Sequence, residues 1–264
     1  MTGQELRLRR LFPPEGALIV ALDHGLFQGL QGGPEDPVGI IRGLVSEPIT
    51  GLLLSRGLWK LLPPDCYTKA LLLRVDAATS FPDVPDTVQV TSAACALRLG
   101  ADGILTMGLL RQGENNSLLR YLGLLTEEAH ANGLPAIVEL MPRHDSLPVR
   151  DALRISAELG FDAAKIFLPL AQDEFTSFVS LIGASPIPVA VAGGQPLATE
   201  LKLLELVREI RSAGAAGLIF GRNIWSHPQP RAIIRSLSAV WQGDLTPREA
   251  YDQYLGMASE AVCQ

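Results

Sequence analysis

The chain alternates between short aliphatic runs and longer amphipathic ones. Ala17-Leu18-Ile19-Val20-Ala21-Leu22 is wholly apolar, follows Gly16 and stops at Asp23-His24-Gly25. A run of that length, bounded by turn formers, predicts a strand covered on both faces. The same grammar recurs at 51–55, 69–75, 102–107, 135–140, 163–168, 187–192 and 216–220. Between the runs, apolar residues return every three or four positions. That spacing predicts helices over 38–45, 88–99, 114–132, 147–159, 173–182 and 199–213. Gly100, Asn132-Gly133, Gly160 and Gly214 supply the helix stops. Two further helices, about 230–240 and 247–262, finish the chain. Residues before the first strand read as a polar, basic leader, and 29–37 and 77–85 as loops.

Strands that are separated by helix-length segments pair in parallel, because parallel neighbours need long crossovers. Eight such units in 264 residues predict a (β/α)8 barrel, a fold that takes about 250. An open doubly wound sheet is the alternative, but no G-x-G-x-x-G follows the first strand. No linker or composition break appears. The expectation is therefore one domain over 1–264, with 228–264 as C-terminal helices.

Composition narrows the function classes. Hydrophobic residues make up 47% of the chain, which suits an ordered globular core. The net charge is -6, from 22 basic and 28 acidic residues, so no basic field exists for wrapping nucleic acid. Cys66, Cys95 and Cys263 form no C-x-x-C pair, so neither a zinc cage nor a disulfide framework is expected, and Cys95 reads as a small core residue. No apolar run approaches the ~18 residues of a membrane span. Arg7, Arg9 and Arg10 before the first strand superficially suggest a secretion signal. The apolar run behind them is too short and leads straight into Asp23 and His24. A cytoplasmic location is the expectation.

In a barrel of this kind, chemistry sits at the C-terminal ends of the strands. Those ends carry Asp23, His24, Arg56, Arg74, Asp76, Glu139, Met141, Arg143, Lys165, Gly193, Gly194, Gly221, Arg222 and Asn223. Lys165 stands alone in the apolar stretch Ala163-Ala164-Lys165-Ile166-Phe167-Leu168. Burial disfavours a charged amine, and a neutral amine attacks carbonyls. Two readings are open: a nucleophile, or a charge that reaches solvent or a buried acid. Gly193-Gly194 and Gly221-Arg222-Asn223 end the last two strands, where barrels of this type build phosphate sites from backbone amides. The plainer reading makes these glycines turn formers. Asp23 either caps a helix, pairs with an arginine, or handles a substrate hydroxyl proton. His24 is either a base or a structural hydrogen bonder. Strand alternation puts Glu139 and Met141 on one face, where Glu139 could pair with Arg74 or Arg56, or act as a base. His144 and Asp145 read as solvated loop.

Taken together, Ala21-Leu22-Asp23-His24-Gly25, Met141-Pro142-Arg143, Lys165, Gly193-Gly194 and Gly221-Arg222-Asn223-Ile224-Trp225 resemble one family. It is that of the archaeal-type class I fructose-bisphosphate aldolases, grouped with the DhnA-like aldolases. The family includes 2-amino-3,7-dideoxy-threo-hept-6-ulosonate synthase and autoinducer-2 phosphate thiolase. The resemblance runs over nearly the whole chain, in order. It implies a metal-free, cofactor-independent barrel that forms a homo-oligomer, often a decamer. It makes Lys165 the Schiff-base lysine and Asp23 the carboxylate near the reacting carbons. Gly193, Gly194, Gly221 and Arg222 match the phosphate site, with His24 and Arg143 as further substrate contacts.

One position departs from the family. A tyrosine usually stands two residues before the strand-five arginine; here it is Met141, which cannot transfer a proton. Either Glu139, Asp23 or His24 carries the proton, or the reaction differs. The expected function is a class I aldolase or lyase acting on a phosphorylated ketose or a related small ketone. The alternatives are acyl transfer of the thiolase kind, a sugar-phosphate-binding protein without turnover, and an isomerase with Glu139 as base. The expected partners are a small phosphorylated carbonyl compound and further copies of the chain, with neither nucleic acid nor membrane.

Overall fold

The computed structural model describes residues 1–26, 34–78, 87–110, 115–142, 149–167, 175–194 and 199–262. In chain order the elements are α1 (Gly3–Leu11), β1 (Ala17–Ala21), α2 (Pro37–Leu44), β2 (Gly51–Ser55), α3 (Arg56–Trp59), β3 (Ala70–Arg74), β4 (Asp76–Ala77) and β5 (Val88–Gln89). There follow α4 (Ala93–Leu99), β6 (Gly103–Leu110), α5 (Asn116–Ala131), β7 (Ala136–Pro142), α6 (Val149–Glu158), β8 (Ala163–Phe167) and α7 (Phe175–Gly183). The chain ends with β9 (Val189–Ala192), α8 (Glu200–Ser212), β10 (Gly217–Phe220), α9 (Arg222–Trp225), α10 (Pro230–Gln242) and α11 (Pro247–Val262).

Eight strands close into a barrel in the order β1-β10-β9-β8-β7-β6-β3-β2, and every pairing is parallel. The fold is the expected (β/α)8 barrel. The eight apolar runs are its strands, shifted by no more than three residues at either end.

Alternation sorts each strand. One set of side chains (Ile19, Leu53, Leu72, Leu105, Ile137 and Ile219, with the small Ala17, Ala70, Ala163 and Ala190) fills the barrel interior. The other set (Leu18, Leu52, Leu71, Ile104, Val138, Ile166 and Leu218) packs under the helices. The two periods answer different neighbours, which is why the strands look continuously apolar. Two residues further along the interior face, the side chains become charged. Arg74 follows Leu72, Glu139 follows Ile137, and Lys165 follows Ala163. Stacked apolar layers below thus leave one polar layer at the C-terminal mouth.

Two segments differ from expectation. The basic leader is a helix, α1, opened by a capping box in which Thr2 accepts from the Glu5 amide and Glu5 from the Thr2 amide. It closes the opposite end of the barrel: Leu11 is fully buried in the interior set. Arg10 donates to the Tyr67 and Lys69 carbonyls at 2.8 and 2.9 Å and pairs with Asp102 at 3.3 Å. Arg7 likewise donates to the Gly133 carbonyl, so Arg7 and Arg10 bind carbonyls at strand entries and their charge masks a plug. The second difference is at 88–91, expected as helix. Val88–Gln89 instead pairs antiparallel with Asp76–Ala77, and the Val90 and Thr91 amides both donate to the Val75 carbonyl. The helix begins only after Ser92, whose hydroxyl caps the Cys95 amide at 3.1 Å. Cys95 is half-buried on the resulting short helix rather than a core residue.

Candidate active site

Barrel closure gathers the charged strand ends. Lys165, on β8, is 6% exposed, and its Nζ donates to Glu139 Oε2 on the neighbouring β7 at 2.9 Å. The pairing register explains the meeting: Ile137 lies beside Ala163, so the residues two further on lie side by side. Nζ also stands 5.3 Å from the centre of the Phe167 ring, one step nearer the mouth on the same strand face. The ring is partly open to solvent at the rim, at 36%.

Arg74, on β3, reaches across the mouth. Its Nε donates to Asp23 Oδ2 at 2.7 Å and its Nη2 to Glu139 Oε2 at 2.9 Å. The pairing of Glu139 with Arg74, one of the plainer expectations, is therefore present together with the lysine contact. Arg56 is exposed and starts α3. Burial alone would push the Asp23 carboxyl up, but the charges of Arg74, Lys165 and His24 outweigh it and hold the group below its ordinary value. Burial lowers His24, and Lys165 and Arg222 lower it further against the pull of Asp23. At neutral pH the imidazole is thus uncharged, 3.9 Å from Asp23 through Nδ1 and edge-on to Trp225.

The loops after β9 and β10 lie on the other side of the mouth. The Asn223 amide donates to the Gly193 carbonyl at 2.9 Å, and Arg222 Nη2 to the Gly194 carbonyl at 3.4 Å, so the two loops are tied to each other. At Gly193 the Asn223 amide occupies the space that a Cβ would need, and at Gly221 the His24 ring does. Gly194 has φ +61°, the left-handed region that glycine enters freely. These glycines are therefore required by close approach and backbone geometry as well as by turning. Trp225 Nε1 donates to the Ala21 carbonyl at 3.1 Å, which pins α9 to β1 and sets His24 against Gly221.

Asp23, His24, Glu139, Lys165, Gly193, Gly194, Gly221 and Arg222 thus stand at one end of one barrel. Met141 is a β7 residue in register with Leu109. Arg143, His144 and Asp145 lie outside the described residues. Sequence reasoning named Arg74 only as a possible partner of Glu139 and Asp76 without a task, and it missed Thr106 and Tyr121, which stand behind Asp76. Asp76 Oδ2 accepts from the Met107 amide at 2.7 Å and from Thr106 Oγ1 at 3.1 Å, and Tyr121 meets Thr106 at 2.9 Å. Alternation from Leu72 could have placed Arg74 in the interior; nothing local announces the other two.

A closed parallel barrel whose mouth holds a buried lysine against a carboxylate is the architecture of an aldolase-type enzyme. Residues 17–227 match the family model described as DeoC/LacD family aldolase, and the chain belongs to that family. It is 28% identical over 261 residues to an uncharacterized aldolase of Saccharolobus solfataricus, covering 91% of this chain and 94% of the other. It is 28% identical over 248 residues to the 2-amino-4,5-dihydroxy-6-oxo-7-(phosphonooxy)heptanoate synthase of Streptomyces griseus, covering 89% of each. Among solved structures, it resembles an archaeal fructose-1,6-bisphosphate aldolase with the catalytic lysine covalently bound to the carbinolamine intermediate of the substrate. That likeness has a TM-score of 0.78 and 27% identity, and covers 90% of this chain and 98% of the other.

Proposed function

We propose that the protein is a Schiff-base aldolase or lyase that makes or breaks a carbon–carbon bond in a phosphorylated ketose or related small ketone. The observation that carries the reading is the Lys165–Glu139 contact at 2.9 Å, buried at the C-terminal mouth of the barrel. The archaeal relative's covalent lysine intermediate supports it. The phosphate-bearing name of the Streptomyces griseus relative supports the substrate class.

The chemistry follows from the geometry. Glu139 takes a proton from the Lys165 ammonium, and the free amine attacks the ketone carbon. The carbonyl π pair moves to oxygen, which takes the proton back from Glu139. The protonated nitrogen then returns a proton to Glu139. Glu139 delivers it to the hydroxyl, water leaves, and a protonated imine forms at Nζ. This cation draws electrons from the adjacent C–C or C–H bond. Asp23 stays ionised and orients the substrate by accepting a hydrogen bond from a hydroxyl. The proton of the hydroxyl on the departing carbon passes to Glu139, ionised again after imine formation, as the C–C pair moves into the enamine. Glu139 thereby performs the proton transfer that Met141 cannot. The glycine loops and Arg222 hold the phosphate, and that remote contact orients the reacting carbons. Phe167 lies over Nζ at the rim and keeps water from the imine. We include in the proposal a cytoplasmic homo-oligomer of up to ten subunits, which sedimentation velocity tests directly.

Borohydride reduction in the presence of a panel of sugar phosphates, followed by peptide mass spectrometry, tests the chemistry. A reduced adduct on Lys165 is expected. Its absence with every member of the panel would remove the Schiff-base mechanism.

A further inference from the structure

Arg74 takes no chemical step in that reaction, yet it is buried at the centre of the site, 3% exposed. Along the mouth the groups run Asp23, Arg74, Glu139, Lys165, with contacts of 2.7, 2.9 and 2.9 Å. Glu139 Oε2 accepts from both cations, whereas Asp23 Oδ2 takes Arg74 Nε. Behind the guanidinium stands Asp76, fully buried, with Oδ1 3.4 Å from Nη1. Its other oxygen is occupied by the Met107 amide and by Thr106. Because the Thr106 hydroxyl gives its proton to Asp76, Tyr121 donates to Thr106 in turn. Burial, with the Asp76 charge, raises the Tyr121 phenol and keeps it a donor. A hydrogen-bonded line thus runs from α5 through the barrel wall to the guanidinium.

We propose that Arg74 is the positioning residue of this site: one guanidinium, braced at Nη1 by Asp76, holds Asp23 through Nε and Glu139 through Nη2 and gives the two carboxylates different tasks. The proposal rests on the Schiff-base reading above. Two carboxylates in one dry mouth would otherwise share a proton. Arg74 serves both at once because its planar fork presents several donors in fixed directions, which an ammonium does not. Asp23, faced by Arg74 from β3, Lys165 from β8 and its neighbour His24, is held as an acceptor. Glu139 and Asp76 lie beyond Arg74, and Arg222 lies beyond His24. Glu139 shares its oxygen with the lysine and is left to exchange the proton.

The test compares wild type with Arg74→Lys, Arg74→Met and Asp76→Asn, using dihydroxyacetone phosphate as the probe. The rate of borohydride-trapped adduct formation on Lys165 is followed across acid to neutral pH, and thermal melting gives the folded fraction. Arg74→Lys is expected to slow trapping by ~100-fold, as a misplaced reacting group does. It should also move the acid limb of the profile upward by up to about one pH unit, because one ammonium cannot neutralise both carboxylates at contact distance. Partial recovery at higher pH should follow, and Asp76→Asn, which leaves the guanidinium charged but unbraced, should slow trapping by less than Arg74→Lys does. A purely structural arginine predicts losses in step with the folded fraction and an unmoved limb. That result in Arg74→Lys would overturn the proposal while leaving the Lys165 reading intact. Should Arg74→Met fail to fold, the other two variants decide. A wild type that yields no adduct would overturn both readings, and no variant would be needed to see it.

Discussion

Replacing Lys165 by methionine separates the nucleophile from the accommodated charge. The side chain is 7% exposed, with one ion-pair partner at 2.9 Å. At an effective dielectric of about 20, unit charges at that separation attract by roughly 6 kcal/mol. Desolvating the ammonium opposes this with several kcal/mol, so the pair is close to neutral for stability. Methionine follows the same unbranched path and requires no desolvation of charge. Glu139 Oε2 keeps its 2.9 Å bond to Arg74, so the carboxylate is not left without a cation. The net change should therefore lie within ~2 kcal/mol of zero, or less than about 8 °C in Tm for a chain of this size. Calorimetry measures the stability, and borohydride trapping with mass spectrometry measures the chemistry. The expected outcome is a folded protein near the wild-type Tm with no adduct. A loss of more than ~4 kcal/mol, the range for breaking a needed buried pair, would refute the reasoning by making Lys165 a structural charge. A persisting adduct elsewhere in the chain would refute it from the other side.

Two further predictions follow from the same mouth. The Asp23 pKa is lower folded than unfolded, so its contribution to stability is present above the ordinary carboxylate value near ~3.9 and is lost as pH falls through the lowered one. Urea unfolding should accordingly show Asp23→Asn about 3 kcal/mol less stable at pH 7, with the gap closing below about pH 4; an equal gap at both values would contradict the assignment. At Gly193, a methyl group displaces the Asn223 amide and breaks its 2.9 Å bond. Gly193→Ala should raise half-saturation by dihydroxyacetone phosphate about tenfold, equivalent to ~1.4 kcal/mol, and unchanged half-saturation would remove this loop from the phosphate contact.

The barrel was readable because parallel strands covered on both faces leave a strong sequence trace, and eight of them leave few topologies. Lys165 was readable for the opposite reason, as a charge breaking an apolar run. Position on a strand also sufficed for Asp23, Glu139 and the glycine pairs, since the fold itself says which strand end carries chemistry. What stayed hidden depends on contacts across the barrel. Arg7 and Arg10 look solvated until the strand-entry carbonyls are set beside them. Val88 and Gln89 follow helical spacing, but the free edge at Val75 outbids it. Thr106 and Tyr121 belong to a strand interior and a helix face that read as ordinary, and only closure brings them behind Asp76.

The proposed reaction also accounts for the different construction of the two sides of the mouth, the Lys165 side and the side of the Gly193 and Gly221 loops. In the proposed reaction an ammonium at Nζ becomes a protonated imine at the same nitrogen, and both carry one positive charge. Water leaves neutral, and Glu139 ends as it began. The buried groups of β1, β3, β7 and β8 therefore see no change in charge over imine formation, and only a proton moves, across 2.9 Å. Such a site can stand directly on the apolar layer of Leu72, Ile137 and Ala163 without an aqueous path for counter-charge. A phosphate brings its charge from outside and cannot be balanced that way. It needs its own cation and backbone amides nearer solvent, and in the proposed reaction that part falls to the half-buried Arg222 with the loops of Gly193 and Gly221 that follow β9 and β10. The fixed cation Arg74 belongs to the first set. It lets two carboxylates remain beside a nitrogen whose charge is constant, which is the condition for Glu139 to carry a proton without Asp23 taking it.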